Sequence, residues 1–108
     1  MKKNSDQAIN DFCYAIYRIA QKDYELAGEP IEKANFFLRC LVIMNDLKMI
    51  DGSIIHNNQT LTYIVNQEKY TFWLVEVPEP NDKFSFVDYL TNEITRIFYN
   101  LDPGNFER

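Results

Sequence analysis

The chain has 108 residues, enough for one hydrophobic core and too few for two, and 46% apolar residues with only three glycines and four prolines exclude a disordered or low-complexity chain. Asp and Glu number 16 against 11 Lys and Arg, and the formal charge of -5 has the wrong sign for a protein that grips phosphate backbones over a wide face. A basic protein surface is the better-matched partner, although such a charge also serves solubility alone.

The first residues, MKKNSDQAINDF, pass directly into polar sequence without the apolar run and small-residue cleavage site of a secretory signal. The longest apolar run, FFLRCLVIM, is broken by Arg39 and is far shorter than a bilayer span. A soluble, cytoplasmic protein is expected, with no membrane partner. Two cysteines, Cys13 and Cys40, are too few for a secreted disulfide scaffold.

From Ser5 to about Ala27, the residues Ile9, Phe12, Cys13, Ile16, Ile19, Ala20 and Ala27 recur at three- and four-residue intervals and predict one apolar helix face. Ser5 or Asn4 is a candidate cap, and Gly28 followed by Pro30 predicts the end. Proline at a first helical position, followed by Glu32, starts a second predicted helix that runs to about Ile50 and stops at Asp51 and Gly52. On a helical wheel Glu32, Asn35, Arg39 and Asp46 form a narrow polar stripe. Apolar residues from Phe36 to Leu47 cover the rest, so this helix should be central. A buried strand is the rival reading of the same run; the leucines and methionine, with EKAN before and NDLK after, favour the helix.

SIIH, residues 53–56, predicts a short strand, with a turn at Asn57 and Asn58. The hairpin QTLTYIVNQEKYTFWL follows. A two- or four-residue connection around NQEK sets Val65 opposite Tyr70, Tyr63 opposite Phe72 and Leu61 opposite Leu74. Leu61, Tyr63, Val65, Tyr70, Phe72 and Leu74 then share one apolar face. Thr60, Thr62, Ile64, Thr71, Trp73 and Val75 share the other, a pattern that suits a partly wet surface. An odd-length loop exchanges the two faces.

PEPNDK can only be a loop. Beyond it Ser85 and Asp88 resemble a capping pair, and Val87, Leu90, Ile94, Ile97, Phe98 and Leu101 predict an amphipathic helix that ends before Pro103 and Gly104. The expectation is a single α+β domain over residues 1–108: two N-terminal helices, a short antiparallel β-meander of two or three strands, and a C-terminal amphipathic helix, with the helices on one side of the sheet.

Motifs that carry chemistry are scarce. Both cysteines fall among apolar helix residues, where the thiol is a small buried hydrophobe and not a nucleophile. His56 is the sole histidine, and CxxC, HxH and HExxH spacings do not occur, so no metal site is expected. Three glycines cannot build a phosphate-cradling loop, and no cofactor is expected. The carboxylate pairs Glu76 with Glu79 and Asp6 with Asp11 read as solvated charges. The chain is therefore expected not to be an enzyme.

Aromatic residues carry the remaining signal. Tyr14, Tyr17 and Tyr24 occupy one sector at the flank of the first helix, where they either seal the core edge or form a recognition strip; Tyr89 and Tyr99 raise the same choice on the last helix. Trp73 is the sharper case, because its face points away from the predicted core. Either the C-terminal tail DPGNFER or the SIIH strand covers it, or it centres a protein-binding patch with Ile64, Thr62, Thr71 and Val75 around it and Glu76 and Glu79 as an acidic rim.

Three functions follow. The first is a small acidic binding module that sequesters or inhibits a protein target, as immunity proteins, antitoxins and phage counter-defence factors do. The second is a subunit of a larger assembly or a homodimer, with apolar surface of the second and last helices buried between chains. The third, a winged-helix-like DNA-binding regulator, is opposed by the net charge and by a second helix too apolar to face DNA.

Overall fold

The computed structural model describes the backbone of residues 2–48 and 50–101 and the side chains of residues 7–48 and 50–100. It is an α+β fold in the order α1 (Lys2–Ala27), α2 (Lys33–Asp46), β1 (Ser53–His56), β2 (Thr60–Val65), β3 (Glu68–Trp73) and α3 (Lys83–Leu101). The three strands form one antiparallel sheet in the order β1-β2-β3. Among the described residues no helix is long and apolar enough to cross a membrane.

α1 ends as its sequence predicts. Gly28 takes a φ of 68°, its N–H donates to the Glu25 carbonyl, and the Glu29 N–H donates to the Tyr24 carbonyl. This crossed pair of bonds is the Schellman arrangement, which satisfies carbonyls that the helix end would otherwise leave unpaired. The helix already runs at Lys2, so Asn4 and Ser5 lie inside it and are not at its start.

α2 is shorter than expected. Glu32 is its N-cap residue, with extended backbone and no side-chain cap bond, and the helix stops at Asp46. Lys48 takes the left-handed conformation with φ 62°, and its N–H returns to the Asn45 carbonyl. Asp51 and Gly52 lie beyond the helix end. Gly52 instead meets β2: its N–H donates to Asn45 Oδ1, its carbonyl accepts from Asn45 Nδ2, and the Tyr63 hydroxyl donates to the same Asn45 Oδ1. One amide side chain thus ties the end of α2 to the start of β1 and to the inner face of β2.

The hairpin faces are as predicted, but the register differs by two residues. Tyr63 stands opposite Tyr70, Leu61 opposite Phe72 and Val65 opposite Glu68, which leaves Asn66 and Gln67 alone in the turn. Both have positive φ, 53° and 71°, as a type I′ turn requires, because that turn matches the twist of the flanking strands. A two-residue slip preserves side-chain parity, so Leu61, Tyr63, Val65, Tyr70 and Phe72 remain on the buried face. Leu74 lies just past β3 in a turn and is only partly buried. Glutamine pays a steric penalty at φ 71° that glycine does not. Gln67→Gly is therefore expected to stabilise the fold by about 0.5–1 kcal/mol in urea denaturation; an unchanged or lower midpoint would refute the turn assignment.

α2 and α3 pack on the inner sheet face. Phe37 of α2 meets Phe72 edge-on at 5.1 Å, while Asn100 of α3 donates to the Tyr70 hydroxyl and Arg96 lies over the Tyr70 ring at 5.3 Å. α1 rests on α2 and α3, tied by Arg39 to Asp23 and by Asn10 to Thr91. The layers are sheet, then α2 with α3, then α1. α3 opens on Asp82, whose carboxylate accepts from the Ser85 N–H and whose carbonyl accepts from the Phe86 N–H. Asp82 is the cap, and the expected pair of Ser85 and Asp88 falls within the first turns.

Candidate functional site: the outer face of the sheet

Alternation along each strand sends every second side chain away from the helices. The outer face carries Ser53 and Ile55 from β1, Thr60, Thr62 and Ile64 from β2, and Lys69, Thr71 and Trp73 from β3, in the observed register. Ser53, Ile55, Lys69, Thr71 and Trp73 are exposed, and Thr60, Thr62 and Ile64 are half-buried. Trp73 exposes 49% of its surface and Ile55 47%. Among the described residues no helix packs against this face. The tail DPGNFER, expected as one cover for Trp73, lies outside the described residues. SIIH pairs beside β2 and leaves Trp73 open.

The backbone around Trp73 is held at several points. Thr60 is its cross-strand neighbour, the Leu74 N–H extends the ladder to the Gln59 carbonyl, and the Glu76 N–H returns to the Trp73 carbonyl. Across from the indole, the turn joining β1 to β2 is closed by the Asn57 N–H on the Thr60 carbonyl at 2.9 Å. Between them lies an open groove of about 570 Å³, lined by His56, Asn57, Asn58, Gln59, Thr60 and Trp73. An aromatic plane beside amide and hydroxyl groups on fixed backbone offers both apolar contact area and directional hydrogen bonding.

The predicted binding residues separate into two groups. Trp73, Ile64, Thr62 and Thr71 share the outer face, and the Thr62 and Thr71 hydroxyls approach to 3.5 Å across the strands. Val75 lies in the turn after β3 and is 83% exposed. Of the expected acidic rim, Glu79 pairs with Lys33 at 3.6 Å, while Glu76 follows Trp73 in the turn after β3 and also lies within electrostatic reach of Tyr89 on α3. Burial, with Glu93 and Glu76 nearby, pushes the Tyr89 hydroxyl up to about 12.

The tyrosines of α1 belong to the layer farthest from Trp73. Tyr17 is only 3% exposed; its ring sits between Phe36 and Phe86 and its hydroxyl donates to the Pro80 carbonyl, so it pins the PEPND loop and adds nothing to a surface strip. Tyr24 is partly buried and stacks on Phe36 at 5.8 Å. Tyr14 is half-buried in a shallow groove with Phe84 and Asp88. Only threonine alternation and the unpaired tryptophan signalled the outer face in sequence; the amides of Asn57, Asn58 and Gln59 became site residues through the β1-β2 turn alone.

Both cysteines are free and buried. Loss of solvent pushes the Cys13 thiol up to about 11, partly offset by a hydrogen bond with Thr91, and desolvation, with Cys13 nearby, raises Cys40 as well. Such thiols are almost wholly protonated at neutral pH and are poor nucleophiles. Among the described residues no group of three or more His, Cys, Asp or Glu side chains is arranged to hold a metal ion. Comparison with family models, with curated proteins and with solved structures gives no significant match.

Proposed function

We propose that the protein is a non-catalytic binding module that holds a protein target on the outer face of its sheet, centred on Trp73. The observation that carries this reading is the side-chain chemistry of that face: a half-exposed indole with Thr60 opposite it and Thr62 and Thr71 next along, Ile55 and Ile64 farther across the same face, and a single charge, Lys69, at the far end. Such a centre, aromatic and aliphatic with few charges, is the composition of interface hot spots, where tryptophan dominates binding energy. A face of hydroxyls and apolar groups has no cation cluster with which to hold a phosphate backbone.

The net charge of -5 favours a target with a basic surface, because complementary fields speed encounter even when the contact itself is apolar. Covering a working surface of that target is the simplest action available to such a face, so we read the module as one that sequesters or inhibits by occupation. The buried, protonated thiols support a role without covalent chemistry.

A tagged pull-down from the native host's extract, read by mass spectrometry, compares the wild-type chain with Trp73→Ala and Thr62→Arg. One stoichiometric partner is expected, with its affinity reduced by roughly 30-fold or more in either variant. Because Trp73 is half-exposed, its truncation should change stability by less than about 1 kcal/mol. A partner retained in full by both variants would overturn the assignment of this face, and a large loss of stability in Trp73→Ala would place the indole in the core.

A further inference from the structure

Phe12 and Ile19, expected on the buried face of α1, are instead 46% and 41% exposed, and Leu26 is 78% exposed. Ala8 and Ala15, between and beside them, are exposed as well. Ala8, Phe12, Ala15 and Ile19 alternate steps of four and three residues, and Lys22 and Leu26 continue the series. This is a heptad seam, separate from the buried stripe of Ile9, Cys13, Ile16 and Ala20 on the same helix.

We propose that this seam joins two copies of the chain into an antiparallel homodimer through α1. Side-chain size supports a second copy as the occupant. Through the first two heptads the large residues Phe12 and Ile19 hold one seam position and Ala8 and Ala15 hold the other, before Lys22 takes that position in the third. Antiparallel helices place one kind of seam position against the other, so that Phe12 lies over the partner's Ala15 and Ile19 over the partner's Ala8, each twice by the two-fold axis. Each of these four layers then joins a large side chain to a small one. A parallel pair would stack Phe12 on its own copy and leave alanine facing alanine.

Charge selects the same register. Asp11 and Arg18 flank the seam on one side, each one position before a large seam residue, and in this register Arg18 faces the partner's Asp11 to give two symmetric ion pairs. Within one helix the two stand seven residues apart, about 10 Å along the axis, too far to pair. Arg18 has no charge partner among the described residues. The parallel alternative would turn Arg18 toward the partner's Asp23, a residue already held by Arg39. The seam lies on the layer opposite the sheet, so it leaves the Trp73 face open and does not rest on the binding role proposed for that face.

Sedimentation equilibrium of the full chain tests the proposal at about 100 µM, where a Kd near 1 µM gives a mostly dimeric sample. Twice the chain mass is expected. Ile19→Glu, at a partly exposed position, is expected to retain the wild-type circular dichroism spectrum while raising the dissociation constant roughly 100-fold, because it places two carboxylates, one from each copy, in the seam. Arg18→Glu alone and Asp11→Arg alone should each weaken the dimer by bringing like charges together. The double variant should restore it, which only an intermolecular Asp11 to Arg18 contact can do. A monomer at the highest concentration, a dimer indifferent to Ile19→Glu, or a double charge reversal that fails to recover association would each overturn the antiparallel seam.

Discussion

Phe37→Ala is expected to lower the free energy of unfolding by about 3–5 kcal/mol. Phe37 is fully buried, and its ring meets Phe72 of β3 at 5.1 Å, Phe86 of α3 at 6.2 Å and Tyr89 of α3 at 6.1 Å, all in edge-to-face geometry. It is the point where α2, α3 and the sheet meet, so truncation opens a cavity that three elements would have to move together to fill. Edge-to-face pairs add about 0.5–1.5 kcal/mol beyond the apolar area they bury, which places this site near the upper end of its class. A domain of this size holds roughly 5–15 kcal/mol in total, so the variant should be close to unfolding. Urea denaturation followed by circular dichroism measures the loss. Phe84→Ala, at a ring 70% exposed, is the control and should stay within about 0.5 kcal/mol of wild type. A loss below about 1.5 kcal/mol for Phe37→Ala would mean that the ring does not bridge the three elements.

Gly52→Ala is the second large effect, with an expected loss of about 2–3 kcal/mol from one added methyl group. A Cβ at this position would stand 2.5 Å from Cε1 and 2.7 Å from Cζ of Tyr63. The Tyr63 ring is fully buried and its hydroxyl is bonded to Asn45, so it cannot swing away without leaving a hydroxyl unpaired in the interior. Burial, with Asp51 nearby, also pushes that hydroxyl up to about 12, so it remains a donor across the accessible pH range. Gly52 does not have positive φ, and the penalty is therefore one of contact and not of backbone conformation. A double-mutant cycle separates the two causes. In a Tyr63→Leu background, which lacks the atoms at Cε1 and Cζ, Gly52→Ala should lose most of its effect, giving a coupling of at least about 1 kcal/mol. Equal penalties in both backgrounds would assign the effect to the chain and not to the ring.

These two sites differ in how far sequence foretold them. Phe37 sits in the middle of an apolar run on a helix with a narrow polar stripe, and local periodicity suffices to place it inside. Gly52 reads in sequence as part of a helix stop, yet it serves as a close-approach residue, because Tyr63 arrives from another element. Asn45 is equally opaque: an amide near a helix end resembles a solvated cap until Gly52 and Tyr63 are brought to it. The helix caps show the same limit, since Asp82, and not Ser85, caps α3, and α2 stops at Asp46 with the left-handed turn at Lys48 just beyond it.

The candidate site divides along the same line. Trp73, Thr62, Ile64 and Thr71 were legible together because a two-residue period assigns side chains to faces whatever the register, provided parity is kept. Their separation from Tyr14, Tyr17 and Tyr24 was not legible, because nothing local states that α1 packs behind α2 and α3. Phe12 and Ile19 make the point on one helix. Their spacing to the core residues permits either face, and only the width of the contact with α2 and α3 decides that they fall outside it.

Sequence alone determined the three helices, the strand pattern, the identity of the sheet's two faces and the glycine end of α1, because each depends on a short-range period or on the backbone freedom of a single residue. Tertiary structure decided the hairpin register, the partners of Asn45, the burial of Tyr17, the exposure of the α1 seam and the open groove at Trp73. Those depend on which distant surfaces compete for the same buried space, and that competition is settled by packing between elements and not by any stretch of chain within them.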